Sequence, residues 1–201
     1  MSAYPLMLEG ASLRALVVGG GSVAARKARA LLAAGASVRL VAPAMDPTLD
    51  DESRPKLSIE RRAYVSDDIG DAMLVIAATS SRDVNAQVGR DARARGRLVT
   101  VVDAPEESNC SSPATHRTGD VVIAVSAGGV PTIAARIRDC IAARYAEPYA
   151  AAVTELSALR SRFLGSGDRE TWTRIVDTVI DQHFCEAVER GELADRMAPW
   201  R

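Results

Sequence analysis

The sequence LRALVVGGGSVAARKARALLAAGASVRLVAP, which occupies Leu13–Pro43, decides the fold of this chain. Its apolar run Leu13–Val18 ends at three consecutive glycines, and a helical pattern follows from Val23 to Ala34. A glycine then ends the helix, and Ser37–Ala42 reads as a second strand that a proline stops. A strand, a glycine turn, a helix and a strand within about 30 residues are typical of the βαβ unit of a parallel sheet.

The remaining patterns of the first half extend this unit into an open, mostly parallel sheet. Further strands are predicted at Lys56–Ala63, Ala72–Ala78 and Leu98–Val102, and a helix is predicted over Asp83–Arg95. The run Ala72–Ala78 is apolar throughout, which is typical of a strand buried on both faces. The order β-α-β-β-β-α-β therefore predicts an α/β protein with a Rossmann-type parallel sheet.

The second half of the chain has a different texture. Residues 108–120 are polar and rich in turn residues, and they precede a predicted strand at Val121–Ser126 and a predicted helix at Thr132–Tyr145. We expect Pro148 to break that helix, and only helical patterns follow it. The predicted helices of this tail are Ala150–Leu164, Glu170–Phe184 and Cys185–Arg190.

These patterns divide the chain into three predicted parts. Residues 1–112 form the Rossmann domain, because all the strands of the parallel sheet lie there. Residues 113–147 form a small α+β region, and residues 148–201 form a helical C-terminal domain.

Composition and charge argue against several classes of function. The formal net charge of −1 gives the molecule no overall attraction to nucleic acid or to a membrane surface. No apolar stretch approaches the ~20 residues that span a bilayer, and we expect no signal peptide. Three cysteines without a CxxC pair and two isolated histidines predict neither a disulfide framework nor a fixed metal site. We therefore expect a cytoplasmic protein that binds neither nucleic acid nor membrane.

The glycine loop, Gly19-Gly20-Gly21-Ser22-Val23-Ala24, predicts a dinucleotide-binding site. Gly19 permits a tight turn, and Gly21 lets the backbone approach a pyrophosphate. Ala24 stands where a third glycine is usual and is still small enough for the helix to pack on the strand. The helix start adds free N–H groups and a partial positive charge. A purely structural turn is the alternative.

The sequence favours NAD over NADP only mildly, from the residues at the end of the second strand. The carboxylate that usually holds the adenosine ribose is missing from Ala42-Pro43-Ala44, where the second strand ends. No arginine stands there to accept a 2′-phosphate either. The sequence therefore favours NAD over NADP, but not through the usual acidic residue.

Polar residues stand at three predicted strand ends, where ligands bind in open α/β sheets. These are Thr79-Ser80-Ser81, Asp103 and Ser126-Ala127-Gly128-Gly129. Asp103 directly follows an apolar strand and is a candidate general base, with a turn or capping role as the alternative. The later glycine pair precedes a helix that starts with proline, and is either an anion-binding nest or a plain connector.

Taken in order, these and other motifs make the chain resemble the precorrin-2 dehydrogenase family, the dehydrogenase and ferrochelatase module of siroheme synthase. The likeness is close over about residues 4–145 and loose over the helical tail. Its motifs are Tyr4-Pro5-Leu6-Met7-Leu8, Leu16–Pro43, Ile76–Thr79 with Asn85, Val101–Pro105, Ser112–Pro131 and Ala134–Arg138.

The resemblance implies an activity and an assembly. The activity is NAD-dependent oxidation of precorrin-2, a tetrapyrrole, to sirohydrochlorin in siroheme biosynthesis. Some members also insert Fe²⁺, so Fe²⁺ or Co²⁺ is implied as a possible second substrate. The resemblance makes residues 113–147 a dimerisation region of a homodimer. No methyltransferase pattern is seen, so we expect another protein to supply precorrin-2.

The resemblance also carries over site residues. Asp103 falls on the key aspartate of the family, and we expect it to act as base or proton relay. The NAD contacts of the family fall on Ser22, Val23, Pro43, Ala44 and Thr79, and the glycine loop itself adds Gly19, Gly20 and Gly21. Apart from the resemblance, our own hypothesis is that Ser126, Gly128 and Gly129 contact the substrate and that Arg117 and Arg136 pair with its carboxylates.

Three departures from the family pattern qualify the resemblance. Thr100 replaces an asparagine of the family, and Asn109–Ser112 replaces an aromatic-rich stretch. Ala127 stands where some siroheme synthases have a serine that is phosphorylated. A non-catalytic NAD-sensing module and a chelatase acting on a related tetrapyrrole are the two alternative functions.

Overall fold

The computed structural model describes residues 3–47 and 55–201, which form two compact units divided between Ser112 and Pro113. The first unit contains β1 (Arg14–Val18), α1 (Ser22–Ala33), β2 (Ser37–Val41), β3 (Leu57–Glu60), β4 (Leu74–Ala77), α2 (Arg82–Ala94) and β5 (Leu98–Val101). The second contains β6 (Ala114–Thr118), β7 (Val121–Val125), α3 (Pro131–Arg144), α4 (Glu147–Gly165), α5 (Arg169–Val179), α6 (Phe184–Arg190) and α7 (Leu193–Met197). Within the described ranges, no helix has the length and apolar character that a bilayer crossing requires.

The first unit is a five-stranded parallel sheet, which confirms the predicted Rossmann-type fold. The strand order is β3-β2-β1-β4-β5, and every neighbouring pair is parallel. The register places the last residues of the strands in one row across the sheet: Glu60, Val41, Val18, Ala77 and Val101. All five strands therefore end at the same edge of the sheet.

Each face of the sheet is covered by one helix. On one face, Val17, Leu40 and Ile76 pack with the buried alanines of α1, including Ala24. Ala24 is completely buried, so its small side chain allows the close packing that the sequence predicts there. On the other face, the strands pack against α2 through residues such as Val88. Each large apolar side chain buried in this way contributes about 1.5–3 kcal/mol.

The outer edge of β5 is closed by the chain that follows it. The side-chain Oδ1 of Asn109 accepts a hydrogen bond from the Val99 amide at 2.7 Å, and Ser108 Oγ accepts one from the Val101 amide at 2.9 Å. The backbone N–H of Asn109 in turn donates to the Val99 carbonyl at 3.1 Å. These hydrogen bonds give partners to backbone groups on the outer side of β5, so this edge is covered without a sixth strand.

The second unit contains a strand that the sequence analysis described as turn-rich. Residues 114–118 form β6, which pairs antiparallel with β7 in the register Ala114↔Val125 to Thr118↔Val121. The prediction was wrong because the side chains of Ala-Thr-His-Arg-Thr are small or polar, so the sequence shows no alternation of apolar and polar residues although the burial of the strand does alternate. The Gly119-Asp120 turn, with Gly119 at a φ of 52°, joins the two strands as a hairpin.

The helical tail also differs from prediction at two points. Pro148 lies in the first turn of α4, where its missing N–H costs nothing, so it begins a helix rather than breaking one. The predicted helix over Glu170–Phe184 ends at Val179, because the Asp181 carboxylate accepts the amide hydrogen of His183 at 2.9 Å and holds a turn. The short helix α7 was not predicted. One apolar cluster, which includes Tyr149, Ile175 and Met197, unites these helices.

A buried carboxylate, Asp68, stabilises the loop that leads from β3 to β4. The Arg62 guanidinium donates to both Asp68 carboxylate oxygens, at 2.8 and 2.6 Å, and the Val65 amide donates at 2.8 Å. The hydrogen bonds from Arg62 lower the pKa of Asp68, although burial alone would raise it.

We predict that Asp68→Asn lowers the free energy of unfolding at neutral pH by about 1–3 kcal/mol, because Arg62 loses one charged acceptor. Since the pKa of Asp68 is lowered in the folded protein, its contribution is complete above the unfolded value of about 3.9 and is lost at lower pH. Urea unfolding at pH 7 and pH 3 should show the gap between wild type and variant narrowing in acid. A gap of equal size at both pH values would contradict this.

Candidate functional site

The residues of the first unit that were predicted to form the site lie along the carboxyl edge of the sheet. The glycine loop follows β1, the Pro43-Ala44 pair follows β2, Thr79 follows β4 and Asp103 follows β5. Because the five strands end in one row, these segments leave the sheet at the same level. This is the edge at which open α/β sheets bind ligands.

Two of the three loop glycines are required by the fold itself. Gly19 has a φ of 129°, and a Cβ there would overlap the carbonyl oxygen of Ala78. A Cβ on Gly20 would overlap the carbonyl oxygen of Ala44, and the Gly20 carbonyl accepts a 2.6 Å hydrogen bond from the Asp46 amide. The close contact of the glycine loop with the backbone after β2 is therefore made at Gly20, for which the sequence offered no separate role.

Gly21 is the glycine that the fold does not require. Its φ of −81° is open to any residue, and no described atom lies within 4 Å of the position a Cβ would take. Gly21 is the N-cap of α1, and within the described ranges no side chain caps that helix start. The first-turn N–H groups, including those of Ser22 and Val23, thus face open space beside a missing side chain. That arrangement fits a pyrophosphate.

A cavity of about 210 Å³ continues the site along the ends of β1, β2 and β4. Its lining includes Pro43, Tyr64, Thr79 and Ser81, and most of its surface is apolar. The Tyr64 hydroxyl donates to Asp91 at 2.8 Å, and burial together with this bond raises the pKa of Tyr64, so the ring remains neutral. An apolar slot with a few polar groups suits the adenosine half of a dinucleotide.

The segment after β2 that borders this cavity, Ala42-Pro43-Ala44, supplies no carboxylate. Glu60, which ends the neighbouring strand β3, is held by Arg39 at 3.4 Å and by Arg62. Its carboxylate is therefore committed to ion pairs within the fold.

A second hollow, of about 350 Å³, lies at the opposite edge of the sheet, where the strands begin. Its basic side chains already have partners: Arg14 pairs with Asp71 at 2.7 Å, and Lys56 donates to the Gly35 carbonyl at 2.8 Å. It also lies away from the ends of the parallel strands, where ligands bind. We therefore locate the candidate site at the smaller cavity.

Asn85, in α2, joins two strand ends and was given no role by the sequence analysis. Its Oδ1 accepts hydrogen bonds from the Thr79 amide at 3.0 Å and from Thr79 Oγ1 at 2.8 Å. Its Nδ2 donates to the Thr79 carbonyl and to Asp103 Oδ1, each at 3.1 Å. Asn85 is only 1% exposed, and an asparagine inside a helix is unfavourable unless its amide has such partners. Its place one turn after the Ser81 cap was the available signal.

Asp103 is exposed at the carboxyl edge and is held at one oxygen only. Its Oδ1 accepts the hydrogen bond from Asn85, and no partner of Oδ2 occurs among the described residues. Arg82, from the first turn of α2, lies near enough to interact with its charge, while pairing directly with Glu107 at 2.5 Å. Asp103 is thus oriented but still open to a ligand.

The departure from the family pattern at Thr100 has a local explanation. Thr100 Oγ1 donates to the Cys110 carbonyl at 3.2 Å and lies 3.6 Å from Cys110 Sγ. Burial raises the pKa of the Cys110 thiol. The pKa of the neighbouring Lys27 ammonium is lowered, mainly by burial and to a lesser extent by the positive charge of Arg26. Cys110 is therefore a neutral thiol that packs against Thr100, with no sign of a reactive thiolate.

The residues predicted to contact substrate lie in the second unit. Arg117 in β6 and Arg136 in α3 are exposed, and neither has an ion pair within residues 55–201 or 3–47. Gly128 and Gly129 have φ values of 55° and 81° and form the turn before α3, with Ser126 just ahead of them. Pro131 begins α3, and no side chain among the described residues caps this helix start. That these groups meet the same ligand as Asp103 stays a prediction.

The described residues hold no group of three His, Cys, Asp or Glu side chains that could bind a metal ion. His116 Nε2 lies 2.6 Å from the Tyr145 carbonyl oxygen, and His183 lies 3.7 Å from Glu186. Both histidines therefore have local partners. The thiols of Cys110, Cys140 and Cys185 are free.

Comparisons with known proteins agree with the fold and with the character of this edge. Residues 6–114 match the family described as "Putative NAD(P)-binding". The siroheme synthase of Chromobacterium violaceum is 38% identical over 200 residues, 96% of this chain and 42% of that protein. The siroheme synthase of Pseudomonas entomophila is also 38% identical, over 198 residues, 98% of this chain and 41% of that protein. This chain thus spans about two fifths of the length of these relatives, and the resemblance noted from the motifs is confirmed.

A solved structure has the same fold. "SirC, precorrin-2 dehydrogenase" superposes with a TM-score of 0.77 at 24% sequence identity, and the match covers 98% of each chain. The likeness includes the second unit, so the hairpin and the helical tail belong to a known architecture.

We predict opposite effects for two alanine substitutions in the glycine loop. Gly21→Ala should leave the melting temperature nearly unchanged and weaken NADH binding at least about tenfold, because its Cβ enters only the phosphate space. Gly20→Ala should lower the melting temperature, because its Cβ overlaps the Ala44 backbone. Gly165→Ala, at the end of α4, is a control with open space around its Cβ. Equal NADH affinity in Gly21→Ala and wild type would show that Gly21 does not face the cofactor.

Proposed function

Since its residues 6–114 match the family model, this chain belongs to the NAD(P)-binding family, and on that premise we propose that it oxidises precorrin-2 to sirohydrochlorin with NAD⁺. The observation that carries the proposal is the position of Asp103. One carboxylate oxygen is held by Asn85 and the other has no partner among the described residues, at the same sheet edge as the open helix start. The likeness to siroheme synthases, and to a precorrin-2 dehydrogenase in fold, supports precorrin-2 as the proposed substrate.

The cofactor would be held mainly by backbone. The loop Gly19–Val23 would bind the pyrophosphate through N–H groups, since these amides have no side-chain cap. Pro43 would line the adenosine side of the cavity, with Ala44 next to it in the chain, and Thr79 would border the nicotinamide side. NAD⁺, when bound, supplies the electron acceptor for the oxidation.

The oxidation of precorrin-2 requires a proton acceptor. The oxidation removes two electrons and two hydrogens from the substrate: bound NAD⁺ would supply the acceptor for one hydrogen with both electrons, and the other hydrogen would leave as a proton. Asp103 Oδ2, which has no partner among the described residues, would accept that proton and pass it to water. The same oxygen would accept a pyrrole N–H proton if Fe²⁺ or Co²⁺ is inserted into the product. Metal insertion is therefore part of the proposal as a second use of Asp103.

The substrate would bind through its carboxylates. Arg117 and Arg136 are exposed and lack ion pairs within the described ranges, so their guanidinium groups are available to carboxylates. The turn at Gly128-Gly129 and the start of α3 offer N–H groups to a further carboxylate, with Ser126 beside them. Such groups suit a tetrapyrrole that carries many acidic side chains.

We further propose that the protein is a cytoplasmic homodimer. A two-stranded sheet such as β6–β7 is marginally stable alone. Val130, just before α3, and Ile133 and Ile137, on α3, are exposed by 45%, 51% and 42%, and Ala134 is the one buried residue of α3. A second copy covering this face would bury these side chains. The three free thiols are compatible with a reducing compartment.

Asp103→Asn should lower the turnover of precorrin-2 by about 10²-fold or more, because the amide keeps the shape of the side chain but accepts no proton. NADH production and the sirohydrochlorin spectrum would be followed in the same sample, with NADH affinity expected unchanged. Glu106→Gln, a nearby exposed carboxylate, is the matched control and should retain wild-type turnover. Unchanged turnover in Asp103→Asn would remove Asp103 from the reaction. Cofactor binding without turnover in the wild type would favour an NAD-sensing module instead.

Arg117→Gln and Arg136→Gln should each raise the KM for precorrin-2 by about tenfold with little change in kcat, because each removes one charge-assisted contact. The effect should shrink at high ionic strength, where such contacts are screened. Arg160→Gln, on the exposed side of α4, serves as the control for losing one positive charge. A KM equal to that of the control in both variants would contradict the proposed carboxylate contacts.

A further inference from the structure

The amide of Asn85 has only one orientation that satisfies its partners. The Thr79 backbone N–H can only donate, so the atom facing it at 3.0 Å must be the acceptor Oδ1. The Thr79 carbonyl can only accept, so the atom facing it at 3.1 Å must be the donor Nδ2. The second hydrogen of Nδ2 then points to Asp103 Oδ1 at 3.1 Å. The backbone of Thr79 thus decides which way the buried amide faces.

We propose that Asn85 is a positioning residue that keeps Asp103 Oδ1 as a hydrogen-bond acceptor and reserves Oδ2 for proton transfer. This inference rests on the proposed function, in which Asp103 is the base. A proton on Oδ1 would face the Nδ2 hydrogen, so the site favours protonation at Oδ2. Asn85 touches neither substrate nor cofactor in this scheme and acts only through Asp103 and Thr79.

The same amide links the base to the cofactor cavity. Thr79 lines that cavity, and its N–H, its C=O and its hydroxyl all bond to Asn85. Any shift of Thr79 as the cavity fills is therefore transmitted through one rigid, buried side chain to Asp103. Asn85 has no bonding capacity left over, because its two acceptor and two donor positions are all used.

The charged groups near Asp103 lie on two elements of the first unit. Arg82, in the first turn of α2, interacts with its charge and is paired with Glu107. Glu106 lies in the short helical turn Pro105–Glu107, which follows Asp103, and is exposed. Asn85 is the group that bonds directly to the Asp103 carboxylate among the described residues.

The test is Asn85→Asp, which keeps the acceptor for Thr79 but replaces the donor to Asp103 with a second carboxylate. Because neighbouring carboxylates resist ionising together, the acid limb of the kcat profile should move upward by about one pH unit or more. On the acid side of the profile kcat should fall about tenfold for each unit of that shift, and the KM for NAD⁺ should change by less than about threefold. A merely structural role would lower stability without moving the pH profile.

Gln87→Glu is the matched control on the same helix. The Gln87 amide donates to Asp91 Oδ1 at 2.8 Å, so the change creates a similar pair of carboxylates away from Asp103. We expect it to lower the melting temperature and to leave the pH profile at its wild-type position.

A stability cycle tests the contact without using activity. In the double variant N85D/D103N, the introduced amide can donate to the introduced carboxylate, so at least half of the melting-temperature loss caused by Asn85→Asp should be recovered. If Asn85→Asp alone does not fold, the double variant should still fold. No recovery, or a double variant that also fails to fold, would overturn the inference.

Failure of the inference is separable from failure of the proposed function. An active wild type whose acid limb is the same in Asn85→Asp overturns the positioning role and leaves the proposed oxidation intact. A wild type that does not oxidise precorrin-2 overturns the proposed function and with it the base that Asn85 would position.

Discussion

Contact between backbone atoms at the end of β1 is the constraint on which the rest of the first unit depends. The Gly19 amide donates to the Val41 carbonyl at 3.0 Å, and the missing side chains of Gly19 and Gly20 let the loops after β4 and β2 come close. Any side chain at these two positions would separate the three strand ends. Because α1 starts directly after this contact, its free N–H groups lie at the sheet edge where a phosphate can reach them.

A buried amide performs the corresponding task at the other side of the site. Asn85 ties the segment after β4 to the segment after β5 through four hydrogen bonds, all inside the first unit. A buried polar group is stable only when its bonding capacity is filled, so this amide specifies one arrangement of Thr79 and Asp103. The loop glycines thus leave space at the carboxyl edge of the sheet, and the asparagine orients Asp103, the proposed base, at the same edge.

The second unit depends on a different kind of stabilisation. Its helices share an apolar cluster, in which Ile175 and Met197 are almost fully buried. The helix α3, which packs beside the hairpin β6–β7, instead leaves apolar side chains such as Ile133 exposed. Covering an apolar face of this kind lowers the free energy of the protein. A second copy of the chain covers it in the proposed homodimer.

The sequence alone determined the elements whose signals are local. Apolar runs, helix-ending glycines and the loop Gly19–Ala24 sufficed to predict the parallel sheet, the Rossmann-type fold and the strand ends that carry Thr79 and Asp103. Tertiary structure decided what depends on partners distant in the chain. Strand β6 was missed because polar side chains conceal its alternation and only pairing with β7 makes it a strand. The separate duties of Gly20 and Gly21 follow from the place where the Ala44 backbone passes, and the role of Asn85 from a carboxylate 18 residues away. Local propensity reports the conformation of a segment, whereas a hydrogen bond or a close approach exists only once the segments have met.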